Sequence, residues 1–83
     1  MTISEFKEAV DHCHDIELTA EGKAYTLFTW DEIPFVLCEQ YKRGEPEKPE
    51  YKANTFDELL SIQLDNGTTL GELIPHITKF VCY

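Results

Sequence analysis

Residues 15–30 read DIELTAEGKAYTLFTW, and this stretch decides the fold. From Asp15 to Ala20 polar and apolar residues alternate, Ile16, Leu18 and Ala20 against Asp15, Glu17 and Thr19, as in a strand with one buried face. Glu21-Gly22 supplies a tight turn, and Ala24 to Trp30, rich in aromatic and β-branched residues, makes the returning strand. Asp31-Glu32 turns the chain again, and Ile33 to Tyr41 runs almost continuously apolar as a third strand. Pro34 cannot donate a ladder hydrogen bond, so that strand begins at an edge or a bulge.

Upstream of the hairpin, Ile3, Phe6, Val10 and Cys13 recur at helical spacing and predict a helix from Thr2 to Cys13. Thr2 and Glu5 stand three apart and form a capping box for its first turn. Downstream, Lys42 to Lys52 (KRGEPEKPEYK) carries Gly44, Pro46, Pro49 and alternating charges and reads as a solvated loop. Thr55 with Glu58 repeats the box before a short helix that turns Phe56, Leu59 and Leu60 inward. After the break at Asp65-Asn66-Gly67, Thr69 with Glu72 caps a last helical turn carrying Leu70, Leu73 and Ile74, which Pro75 ends or kinks. Thr78 to Tyr83 fits a terminal strand with Phe80 and Cys82 opposite Lys79 and Val81. The order predicts an α+β domain: an N-terminal helix, a three-stranded antiparallel β-meander, two short C-terminal helices and a final short strand.

Eighty-three residues predict one domain, 1–83. A chain of this size buries only about 60% of its unfolded surface, so it depends on aromatic anchors, here five Phe, four Tyr and one Trp. Sixteen acids against seven bases give a net charge of −9. Residues 1–39 hold nine acids and two bases, so most of the excess lies in that half. Such a field repels nucleic acid and anionic membrane and makes a basic protein surface the natural partner, unless the charge serves only solubility. Cys13, Cys38 and Cys82 leave one thiol over in any pairing scheme and lack CxxC spacing, so they read as reduced thiols in a cytoplasmic protein. No basic-then-apolar leader and no 18-residue apolar run is present, so neither secretion nor membrane spanning is expected.

Asp11-His12-Cys13-His14-Asp15 collects metal-ligand residue types, with His76 as a distant candidate. Neighbours on a helix point in different directions, and zinc sites need separations such as CxxC or HxxxH, so no metal or other cofactor is expected. Nucleophilic catalysis needs a thiol or hydroxyl beside a base, and nothing local pairs any Cys with a His. Asp31-Glu32 and Asp57-Glu58 read as turn and first-turn residues, not as an acid/base pair. No glycine-rich phosphate loop appears, and the chain is read as non-catalytic.

If both turns have two residues, Asp15, Glu17, Phe28, Trp30, Ile33, Phe35 and Leu37 share one sheet face, and Ile16, Leu18, Tyr25, Leu27, Val36 and Cys38 the other. Both faces are then substantially apolar. Either the helices divide between them or one face is offered to a partner. The expected docking residues are Asp15, Glu17, Phe28, Trp30, Asp31, Glu32 and Phe35. The alternative use of such a face is to close a homodimer, and a third reading is a redox or metal role through Cys13, Cys38 or Cys82.

The segments ISEFKEAV (3–10), IELTAEGKAYTLFTW (16–30) and FDELLSIQLDNGTTLGELI (56–74) resemble those of short, acidic, uncharacterised proteins of Gram-positive bacteria and their phages. The resemblance covers most of the chain and implies no activity and no site residues. The insert 42–52 and the His-Cys-His cluster depart from that pattern. In size and charge the chain is also similar to phage anti-CRISPR and anti-restriction inhibitors. These occupy basic, nucleic-acid-binding surfaces of host proteins, so that role is the expectation carried forward.

Overall fold

The computed structural model describes residues 1–29, 32–40, 43–64 and 67–83. It is an α+β fold in which an N-terminal helix and short C-terminal helices cover an antiparallel sheet of five strands. Helix α1 (Ile3–His12) begins where expected: the Thr2 hydroxyl accepts from the Glu5 amide at 3.1 Å, and the Glu5 carboxylate accepts from the Thr2 amide at 2.9 Å. Phe6 and Val10 face inward, whereas Ile3, expected to do so, lies at the exposed first turn.

Strands β1 (Asp15–Ala20) and β2 (Lys23–Phe28) form the expected hairpin, with Ala20 opposite Lys23 and Asp15 opposite Phe28. Glu21 and Gly22 both have positive φ, 51° and 79°, the requirement of a two-residue type I′ turn. The next connection departs from expectation. Strand β3 (Phe35–Glu39) starts only after residues 29–34, and Phe28 pairs with Val36 instead of Phe35. Because side chains alternate along a strand, this one-residue slip exchanges the faces of β3. Phe35 and Leu37 turn to the core, and Val36 and Cys38 to the opposite side.

The solvated loop is shorter than expected, since its last residues enter a fourth strand, β4 (Glu50–Ala53), paired with β3. Two short helices follow, α2 (Phe56–Leu60) and α3 (Leu70–Leu73). At α2 the Thr55 hydroxyl accepts from the Glu58 amide, but the Glu58 carboxylate accepts from the Asn54 amide instead of closing a full box. At α3 the Thr69–Glu72 box is complete. Pro75 ends that helix as expected, within a 3₁₀ turn (Ile74–His76) that leads into β5 (Ile77–Cys82).

Sheet order is β4-β3-β2-β1-β5, so the first four strands are a meander and β5 returns to the far side of β1. That return explains the layering. The segment between β4 and β5 must cross the full width of the sheet, roughly 19 Å for five strands. It does so by laying Leu59, Leu64, Leu70, Leu73 and Ile74 in one cluster with Phe6 and Val10 of α1 and Ile16, Leu18, Tyr25, Leu27 and Leu37 of the sheet. The helices do not divide between the faces: all join this one core, and no described helix lies on the other side.

One expectation is overturned outright. Cys13 and Cys82 are joined in a disulfide across a sequence separation of 69, with Cα atoms 5.5 Å apart, and only Cys38 is a free thiol. Cys13 caps the end of α1 just before β1, and β5 pairs with β1, so the sheet brings the end of α1 and the end of β5 together. No helix among the described residues is long and apolar enough to cross a membrane.

Candidate functional site

The face of the sheet away from the helices is built by strand alternation. In register it presents Lys52, Val36, Phe28 and Asp15 in one row, and Glu50, Cys38, Thr26, Glu17 and Val81 in the next. A third short row pairs Ala24, Thr19 and Lys79. None of these side chains belongs to the core cluster. Val36 is nonetheless fully buried, between Phe28 and Lys52, while Asp15, Glu17, Thr26 and Phe28 are half-buried.

Asp15 and Glu17 place two carboxylates on alternate positions of β1, the strand next to the β5 edge. Exposed Tyr83 lies beside them: its amide donates to the Asp15 carbonyl at 2.9 Å. The negative charge of Glu17, followed by desolvation and the hydrogen bond between the two side chains, holds the Tyr83 phenol above its usual range. Gln40 donates from Nε2 to the Thr26 hydroxyl at 2.9 Å and pins the neighbouring row. Between them a shallow depression of about 230 Å³ is lined by Glu17, Thr19, Ala24, Gln40, Lys79 and Val81. A second depression, of about 340 Å³ beside the hairpin turn, is lined by Lys23, Glu39, Gln40, Glu45 and Lys48. Glu39 is nearly buried there, with Lys23 Nζ 4.0 Å from its carboxylate. Charged and amide side chains dominate the second and make up part of the first, and neither holds an aromatic residue, unlike the mostly apolar and aromatic linings of small-molecule pockets.

Of the residues expected to dock a partner, Asp15, Glu17 and Phe28 share the open face. Phe35 does not, because the slipped register packs it against the core cluster. Glu32 is exposed in the connection between β2 and β3, and Trp30 and Asp31 lie outside the described residues. Val36, Glu50, Lys52, Lys79, Val81 and Tyr83 were not expected there. The alternation of Phe80 and Cys82 against Lys79 and Val81 was the one visible signal, and the structure keeps it: Phe80 pairs with Leu18 on the core side, and Val81 with Glu17 on the open one. Of the His-Cys-His cluster, Cys13 is committed to the disulfide. No group of three or more His, Cys, Asp or Glu side chains among the described residues is placed to hold a metal ion. The Cys38 thiol, on the open face, is pushed up by burial and by the charge of Glu50, away from the low values of reactive cysteines.

Comparison with family models, with curated proteins and with solved structures returns no match.

Proposed function

We propose that this chain is a non-catalytic protein-binding domain that docks the open face of its sheet on a basic protein surface. The observation that carries this reading is the face itself. It combines the half-buried apolar side chains of Phe28 and Val81 with the carboxylates of Asp15 and Glu17, and no described helix covers it. A net charge of −9 steers such a face toward cations and makes the encounter fast and salt-sensitive. Charge also favours a foreign partner over a second copy. A face-to-face dimer would bring together two copies that each carry a net charge of −9, and like charges across an interface are costly. In its specific form the proposal is an inhibitor that occupies a nucleic-acid-binding surface of a host protein, in the manner of anti-CRISPR or anti-restriction proteins.

Affinity capture tests the reading with three immobilised forms: the natural chain, Asp15→Asn/Glu17→Gln, and Glu8→Gln/Glu47→Gln, whose charges are exposed elsewhere. The natural chain and the Glu8/Glu47 form should retain the same basic protein at low salt and release it at high salt, and the Asp15/Glu17 form should not retain it. Nucleic acid should then compete for that protein. Equal capture by all three forms, or equal loss in both variants, rules out the face.

A further inference from the structure

The two ends of the Cys13–Cys82 bond sit in different surroundings. Cys13 is 7% exposed at the C-cap of α1, where its amide donates to the Ala9 carbonyl at 2.8 Å. Cys82 is exposed at the end of β5, an outer strand of the sheet that pairs with β1 on one side only. A thiolate attacking a disulfide needs access to one sulfur, and of the two residues only Cys82 is exposed.

We propose that Cys13–Cys82 is a thiol–disulfide exchange site whose reductant is a neutral dithiol or a dithiol protein with a basic rim, and whose state controls the order of the β5 edge. In the opening reaction a reductant thiolate bonds to Sγ of Cys82, the Cys13–Cys82 bond breaks, and Cys13 leaves as a thiolate that takes a proton from water. The reductant's second thiolate then attacks its own sulfur in the mixed disulfide and releases Cys82 as a thiolate, which is protonated in turn. Two electrons pass from the dithiol, which becomes a cyclic or protein disulfide, to the cystine. The reverse sequence with an oxidised disulfide closes the bond.

Charge selects the reductant. Asp11 is exposed on the last turn of α1 before Cys13 but is paired with Lys7 at 2.9 Å, and Asp15 and Glu17 lie on the opposite face of the sheet from Cys82, so the selection comes from the charge of the whole chain. An anionic thiol is repelled by the net charge of −9. Cys13 also leaves from a helix C-terminus, an unfavourable place for an anion, so uncatalysed exchange is a matter of minutes to hours.

The bond is one of few ties between β5 and the rest of the molecule besides its pairing with β1. The others include the packing of Ile77 and Phe80 on the core, with Phe80 edge-to-face on Phe6 at 6.5 Å between ring centroids, the Thr78 hydroxyl donating to the Thr19 carbonyl at 3.3 Å, and the hydrogen bonds that join Tyr83 to His14 and Asp15. Opening the bond leaves the strand held chiefly from one side, and edge elements with few buried contacts open locally before the whole fold does. Lys79, Val81 and Tyr83 ride on that strand, so under the docking reading above the same reaction would loosen one border of the binding face.

The test needs no binding partner. The folded chain is equilibrated with oxidised glutathione, challenged with dithiothreitol or reduced glutathione at two salt concentrations, and followed by alkylation mass and by amide hydrogen exchange. The closed chain should take one alkyl group, at Cys38, and two more after dithiothreitol. The advantage of dithiothreitol over glutathione should shrink severalfold as salt rises. Protection across residues 77–83 should fall at least tenfold more than that of β2 and β3, which lose only what the bond contributes to global stability. Single variants locate the attack: with Cys13→Ser, Cys82 should form a mixed disulfide with glutathione, whereas with Cys82→Ser, Cys13 should react far more slowly. A bond that never closes under oxidised glutathione overturns the proposal, as does one that opens only at denaturant concentrations that unfold the chain. So does opening that leaves residues 77–83 protected or that lowers protection equally across the whole sheet.

Discussion

Replacing Glu21 by asparagine should stabilise the chain, because the β1–β2 turn holds a side chain in backbone geometry that suits few residues. Glu21 has φ 51° and Gly22 φ 79°, between the paired Ala20 and Lys23. An ordinary L-residue in that left-handed region costs roughly 1–2 kcal/mol, and Asn-Gly is the preferred pair for a type I′ turn. Glu21 is exposed, so little packing is lost by changing it. Recovering about half the penalty gives about 0.5–1 kcal/mol, which is a rise of about 0.5–1 M in the urea midpoint at a slope of about 1 kcal/mol/M. Glu21→Asn also removes one of sixteen acids, and relief of self-repulsion could imitate the effect. Glu21→Gln provides the control: it neutralises the same charge without asparagine's tolerance of positive φ, and should gain only a few tenths of a kcal/mol. Gly22→Ala provides the opposite sign. An added Cβ there meets nothing within 4 Å, so its loss of about 1–2 kcal/mol is purely a backbone effect. Equal midpoints for Asn and Gln, together with a harmless Gly22→Ala, would refute the turn and with it the register of the hairpin.

Loop closure over a separation of 69 residues predicts that Cys82→Ser costs about 4 kcal/mol under oxidising conditions, or a fall in Tm of roughly 15–30 °C; a difference below about 1 kcal/mol between thermal melts of the two proteins contradicts a closed loop. The slipped register is checked by neighbouring truncations. Leu37→Ala, at a fully buried core position, should cost about 2–5 kcal/mol, and Cys38→Ala, half-buried on the open face, less than about 1, with comparable urea midpoints disproving the assignment. Tyr83 gives a pH signature at the open face. Its phenol is raised above 10.0 in the folded chain, so the neutral form is favoured there. This contribution to stability is present below the unfolded value and is lost as pH rises through the folded one. Glu17→Gln should lower the phenol titration, read by ultraviolet absorbance, toward its usual value, and an unmoved titration would separate the two side chains.

The open face was only partly legible in advance, and the reason is visible residue by residue. Asp15, Glu17 and Phe28 were assigned to one face because strict alternation and a two-residue turn leave the first hairpin a single register. Phe35 was misplaced because residues 29–34 impose no such constraint, and the run Ile33 to Cys38 is apolar on both sides, so the pattern does not penalise a slip of one. Strand β4 was hidden by its own edge chemistry. Pro49, Glu50 and Lys52 read as loop, and these are the residues that keep a sheet edge from pairing with other chains.

By itself the amino-acid order determined what is settled within a few residues: the caps at Thr2, Thr55 and Thr69, the Glu21-Gly22 turn, the break at Pro75 and the alternation of the last strand. These depend on hydrogen bonds and backbone angles among neighbours. Tertiary structure alone decided which strands become partners, which face the helices cover and that Cys13 meets Cys82. Those outcomes join residues tens of positions apart, and they are chosen by the one arrangement that buries the leucines of the crossing segment against β1, β2 and β3 together, a sum over the whole core that no local window contains.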